Sequence, residues 1–216
     1  MKKNILTLST ITFLSAAIIF TSCKKDDVTA PVVTITGADQ TISLQGSFTD
    51  LGATANDNKD GALAAPGSGN VDVNRTGTYQ ITYTATDAAG NSGTAVRNVT
   101  VVNDIESMSG TYTCVINPGA YTYTQTITAS ATVNKRIIFG KFGNYAGNTS
   151  IYADVNNTGA TSPISLSSQT AIQVGSPATD RTFSGTGARA TANTFGLSYT
   201  ETTGTGSAAY TEAYSK

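Results

Sequence analysis

The sequence predicts an all-β protein made of two successive antiparallel folds, and three observations lead there. Thr, Ser, Gly, Val, Ile and Tyr dominate, while charged residues are only 12% of the chain. Apolar and polar residues alternate over short runs, and no stretch sustains apolar residues at helical spacing. Gly, Asn, Asp, Ser and Pro gather between those runs, where positive φ and side chain to backbone hydrogen bonds make turns.

The first element is a leader. Lys2 and Lys3 precede an apolar stretch diluted with Ser and Thr, residues 5–20, and the small Thr21 and Ser22 lead into Cys23. That order is the layout of a secretory signal, too short and too poorly flanked for a spanning helix. Phe20-Thr21-Ser22-Cys23 resembles the lipobox of bacterial lipoproteins, with Phe20 where Leu is usual and Ser22 where Ala or Gly is usual. The resemblance implies cleavage after residue 22, diacylglycerol on the Cys23 thiol and acylation of its freed amine. Two or three acyl chains then hold the protein on a membrane. An ordinary secreted protein or an uncleaved anchor is the alternative. Residues 23–30 become a lipidated tether, and Lys24-Lys25-Asp26-Asp27 resembles the signal that sends lipoproteins of Bacteroidetes-type bacteria to the outer face of the outer membrane. The implied address is the outer membrane, lipid-anchored and exposed on the cell. Charge that simply keeps a linker solvated is an equal reading of the same residues.

Beyond the tether, residues 31–103 read as short strands at 32–36, 40–44, 71–74, 78–86 and 94–102. Between them, Asn58-Lys59-Asp60-Gly61, Pro66-Gly67-Ser68-Gly69 and Ala89-Gly90-Asn91 are turn signals. Tyr79, Ile81, Tyr83 and Ala85 alternate with Gln80, Thr82, Thr84 and Thr86, so one face of that strand belongs to a core. The ordered set Phe48-Thr49-Asp50-Leu51-Gly52-Ala53, Asp57 through Gly61, Gly77-Thr78-Tyr79 through Asp87, and Ala89-Gly90-Asn91-Ser92 resembles the immunoglobulin-like domain of many bacterial surface proteins, also present in a pesticidal crystal toxin. It implies a β-sandwich of about seven strands with Greek-key connections, and no particular activity.

Residues 104–216 have a longer rhythm, with strands expected at 109–116, 121–133, 136–142, 149–155, 171–174, 181–187, 192–202 and 207–214. About eight antiparallel strands in up-and-down order make a small barrel or a meandering sandwich. Met108-Ser109-Gly110-Thr111-Tyr112 and the closing run from Tyr210 to Lys216 resemble the lipocalin-like C-terminal domains of Bacteroidetes lipoproteins.

The chain contains no His, which excludes Ser-His-Asp and Cys-His catalysis and His-based zinc sites. Glu201 and Glu212 are the carboxylate pair to weigh. A hairpin about Gly204-Thr205 sets Glu212 opposite Leu197, leaving the two on the order of 13 Å apart along one face. That exceeds the roughly 5 to 9.5 Å of glycosidase pairs, so they read as surface carboxylates on a solvated face. No glycine loop is set to cradle phosphate, and a formal net charge of -1 gives no attraction to nucleic acid. With Cys23 consumed by lipid, Cys114 has no disulfide partner, and its alternation with Tyr112 and Ile116 makes it a buried small hydrophobe.

Two binding sites are expected. Asp57, Asp60 and Asp87 lie in neighbouring turns and could share a calcium ion, although Asx turns are the favoured reading of the same residues. No other cofactor is expected. Tyr121 and Tyr123 follow Pro118-Gly119, which sets them at a barrel mouth as ligand-binding residues. The first functional reading is a non-catalytic surface lipoprotein, its sandwich a spacer and its second domain contacting a glycan or a surface protein. The alternatives are a carrier or enzyme holding a small apolar ligand in the barrel, and a purely structural stalk. Mass spectrometry of the native protein is expected to find Cys23 as the first residue, with its thiol carrying diacylglycerol.

Overall fold

The computed structural model describes residues 26–145, 151–157, 159, 161–175, 178–191 and 193–216. Cys23 and its leader lie outside the described residues. Before residue 103 the strands are β1 (Val32–Ile35), β2 (Gln40–Ser43), β3 (Ala53–Asp57), β4 (Gly61–Leu63), β5 (Gly67–Ser68), β6 (Gly77–Thr86) and β7 (Ser92–Val102). They form two sheets, β1-β3-β4 and β2-β7-β6-β5. All pairs are antiparallel except β2 with β7.

The alternation of β6 holds, with Ile81, Tyr83 and Ala85 buried and Thr84 and Thr86 exposed. Residues 71–74 are not a strand, because the Asp72 carboxylate accepts the Asn74 amide at 3.0 Å and its carbonyl accepts the Arg75 amide, closing an Asx turn. Conversely, the expected turn at Pro66-Gly67-Ser68-Gly69 contains the edge strand β5. Gly67 permits this, since a Cβ there would stand 2.9 Å from the Tyr83 ring.

A fully buried arginine stitches the two sheets. Arg97 on β7 donates through Nε to Tyr83 Oη at 3.1 Å, through Nη1 to the Ala38 carbonyl, and through Nη2 to the Thr36 and Gly52 carbonyls. Those carbonyls lie just after β1 and just before β3. The Asp50 carboxylate sits 3.5 Å from Arg97 Nε and accepts the Tyr83 hydroxyl, so the buried charge has its counter-ion.

Asn103, also buried, joins the sandwich to the second half of the chain. Its Nδ2 donates to the Ser130 and Val133 carbonyls, and its Oδ1 accepts the Lys135 amide at 2.9 Å. Thr76 N also donates to the Ala131 carbonyl, and Asn134 N to Gln45 Oε1.

Eight strands then make a closed barrel: β8 (Gly110–Asn117), β9 (Tyr121–Ala129), β10 (Arg136–Phe139), β11 (Tyr152–Val155), β12 (Pro163–Val174), β13 (Thr179–Arg189), β14 (Thr194–Thr203) and β15 (Gly206–Ser215). Each pairs antiparallel with its sequence neighbour, and β15 returns to β8 with Glu212 opposite Ile116. Of the two arrangements the rhythm allowed, the chain adopts the barrel, which leaves no sheet edge open. The C-terminal ends of β8, β10, β12 and β14 lie at one end of the barrel. Chain entry and the β9–β10 connection that meets the sandwich occupy the other.

The interior is filled with side chains. Phe195 stacks on Tyr214 at 4.1 Å, Tyr112 meets both edge-on, and Phe142, from a 3-10 turn after β10 (Phe142–Asn144), wedges between Phe139 and Phe183. Cys114 is buried among them, and burial pushes its thiol up to about 11.

Replacing Arg97 with Met should leave the Ala38 and Thr36 carbonyls without this donor and Asp50 without its counter-ion, and is expected to lower unfolding free energy by about 3 kcal/mol in urea titrations.

Candidate functional site

At the barrel end remote from the sandwich, strand alternation delivers two polar networks. Inward positions of β9 and β15 bring the first. Tyr123 donates its hydroxyl to Glu212 Oε1, and Tyr214 donates to Glu212 Oε2 at 2.6 Å. Gln125 Nε2 donates to Tyr123 Oη at 3.2 Å, and Gln125 Oε1 accepts the Lys141 amide. The second network lies nearer the rim. Arg181 Nη1 donates to Glu201 Oε1, the Tyr145 hydroxyl donates to the same carboxylate, and the Arg181 guanidinium rests 4.5 Å over the Tyr145 ring.

Glu201 and Glu212 are therefore not surface carboxylates, and the sequence reading is corrected on that point. The expected register holds, with Leu197 opposite Glu212, and both carboxylates do share a face. That face is the interior, because Phe195, Leu197 and Tyr199 on β14 and Tyr214 on β15 have the same parity. Glu212 is 2% exposed. Burial holds its carboxyl up at about 7, only partly offset by the two phenols. Burial, and then the Glu212 charge, raise Tyr123 and Tyr199 above the ordinary phenol range. Tyr145 rises to about 12, through burial and then Glu201. With both carboxylate oxygens engaged by phenols, the buried Glu212 group acts as a polar bolt within the core.

Tyr121 and Tyr123 share one face of β9 but differ in role. Tyr121 is 55% exposed at the rim, where its hydroxyl accepts from Asn144 Nδ2 at 3.0 Å, whereas Tyr123 is buried against Glu212. A cavity of about 280 Å3 beside Arg181 and Glu201 is lined by Thr203, Thr205, Ser207 and Tyr210. A larger open groove, about 480 Å3, runs along the outer face of β13 to β15 up to Asn117 and Pro118. Pairing aligns Thr186, Ser198, Thr211 and Asn117 directly across four strands of that face. At roughly 4.8 Å per strand the ladder spans about 14 Å.

Of the three aspartates, Asp57 and Asp87 come together and Asp60 does not join them. Asp60 Oδ2 instead accepts the Ala88 amide at 2.7 Å, bracing one loop against the other. The third carboxylate of the group is Asp27, from the segment before β1, and the three offer oxygens within 4.8 Å of one another. Asp27 carried no local signal, because long stretches of sandwich separate it in sequence from both Asp57 and Asp87. Arg181 and Gln125 also escaped the sequence reading, although strand parity pointed both inward.

Residues 33–101 match the family model of the bacterial surface protein Ig-like domain. The Ig-like region coincides with the ordered motifs of the sequence, and supports a binding or structural role at a bacterial cell surface. Among solved structures, a lipoprotein from Bacteroides thetaiotaomicron is similar over 86% of this chain and 100% of its own, at 16% identity and a TM-score of 0.32. The structure of CBM51-2, in complex with GlcNAc, and INT domains from Clostridium perfringens ZmpB is similar over 53% of this chain and 30% of its own, at 17% identity and a TM-score of 0.28. No curated protein matches the sequence.

The raised Glu212 pKa has a defined consequence for stability. The folded chain holds that proton more tightly than the unfolded chain, so the stabilisation is complete below about 4.5 and is lost as pH rises to about 7. Relative to Glu212→Gln, the native protein is expected to lose roughly 3 kcal/mol across that window, read from urea midpoints at a series of pH values.

Proposed function

We propose that this chain is a non-catalytic lipoprotein of the outer cell surface, held by lipid on Cys23, whose Ig-like sandwich is a spacer and whose barrel binds a glycan. The observation that carries the reading is a filled barrel interior beside an open, hydroxyl-lined outer groove. Aromatic rings pack the described barrel interior, which weighs against a carrier of an enclosed apolar ligand. The ladder of Thr186, Ser198, Thr211 and Asn117 presents uncharged donors and acceptors at strand spacing, a match for a polyhydroxylated chain. Absence of His, with Glu201 and Glu212 both engaged inside the core, supports a non-catalytic role.

A glycan array probed with the detergent-solubilised mature protein is the test. Retention on a defined glycan is expected, with at least about tenfold weaker binding for the double variant Ser198→Ala, Thr211→Val and an unchanged melting temperature. A blank array together with capture of an envelope protein would replace the glycan by a protein partner. Blank results in both would leave the stalk reading.

A further inference from the structure

We propose that Asp27, Asp57 and Asp87 hold a calcium ion that clamps the tether onto the sandwich. The three residues come from separate parts of the fold: the segment before β1, the end of β3, and the turn between β6 and β7. Their side chains are largely withdrawn from water, Asp57 being 3% and Asp87 6% exposed, and the Asp27 side chain 9%. Three carboxylates brought so close repel one another. The cation at hand is Lys59, whose Nζ stands 3.7 Å from Asp27 Oδ2 and whose side chain is 44% exposed.

The second observation concerns Asp57 by itself. Its Oδ1 accepts the amides of Lys59 at 2.7 Å and Asp60 at 3.0 Å, but its Oδ2 is buried and has no hydrogen-bond partner among the described residues. A buried ionised oxygen without a partner is costly, and a bound cation removes that cost. Those amides fix the Asp57 carboxylate, as the Asn91 side chain and amide fix that of Asp87, so both are held in place for an ion.

Geometry and donor type select the ion. Three atoms no more than 4.8 Å apart always leave a point within about 2.8 Å of all three, and a small inward movement gives the roughly 2.3 to 2.6 Å of calcium–oxygen bonds. An all-oxygen set borne on loops suits a hard, flexibly coordinated cation rather than zinc or copper. Asn91 already joins two of the carriers, since its Nδ2 donates to the Asp27 carbonyl at 3.0 Å and to Asp87 Oδ2 at 2.8 Å. The ion completes that junction. Four residue steps, about 14 Å of extended chain, would then separate it from lipid on Cys23, so the sandwich would stand close to the membrane on a short lead.

The test uses the full chain after chelator treatment, titrated with calcium chloride in a calorimeter and followed by hydrogen exchange at residues 26–30. One ion per chain is expected, with exchange there slowed by calcium and the sandwich transition raised on the order of 10 °C at saturating ion. Asp27→Asn should weaken binding at least about tenfold and abolish the slowed exchange; lying before the first strand, it leaves the fold intact. Asp57→Asn should abolish binding, and Asp60→Asn should retain it. No heat and no change in exchange at millimolar calcium would overturn the proposal. Binding that Asp27→Asn leaves unaltered would overturn the clamp.

Discussion

The β8–β15 ladder is the constraint on which the second half of the molecule depends. By returning the last strand to the first, it removes both edges of the sheet at once. It also settles parity: with Tyr214 opposite Cys114 and Glu212 opposite Ile116, alternate residues of β15 must point inward. Whatever stands at those positions has to be satisfied inside. Tyr214 finds Phe195 and Tyr112, while Glu212 finds two phenols and keeps a proton near neutrality.

The sandwich solves a comparable problem with a cation. The strands of its smaller sheet are short, three to five residues each, so pairing there joins little. Arg97 compensates by donating to carbonyls of both loops that flank the small sheet, with Tyr83 and Asp50 completing its shell. A guanidinium offers five donors in one plane, which is why one residue can hold several loop carbonyls where a lysine could not. In each half a buried ionisable group thus sits among partners that make its burial tolerable, and each ties together segments distant in sequence.

These internal arrangements push function outward. With the barrel core packed and the sandwich core stitched, surfaces open to a partner among the described residues include the outer face of β13 to β15, the rim around Tyr121, and the loops near Asp27. The rim lies at the barrel end remote from the sandwich, and the tether meets the sandwich at the turn that opens β7, a strand's length from the barrel. That order suits the proposed reading, in which the molecule is fixed at one side and recognises at the other.

Much of this was legible in the residues. Alternation marked β6 and β7, the inward face of Tyr112, Cys114 and Ile116, and the hairpin register that sets Glu212 opposite Leu197, because a strand's period of two is a property of the backbone alone. Local chemistry likewise marked the turn at Asn58-Lys59-Asp60-Gly61. Strands of low β propensity, such as Ala53–Asp57, and the two-residue β5 were hidden, since pairing with neighbours rather than preference makes them strands. What only tertiary structure decided was which side the carboxylate face of β14 and β15 takes, so that Glu201 and Glu212 are core groups, that Arg97 is buried, and that Asp27 rather than Asp60 meets Asp57 and Asp87. Such meetings depend on sheet closure and loop packing between residues far apart in the chain, and no local pattern records them.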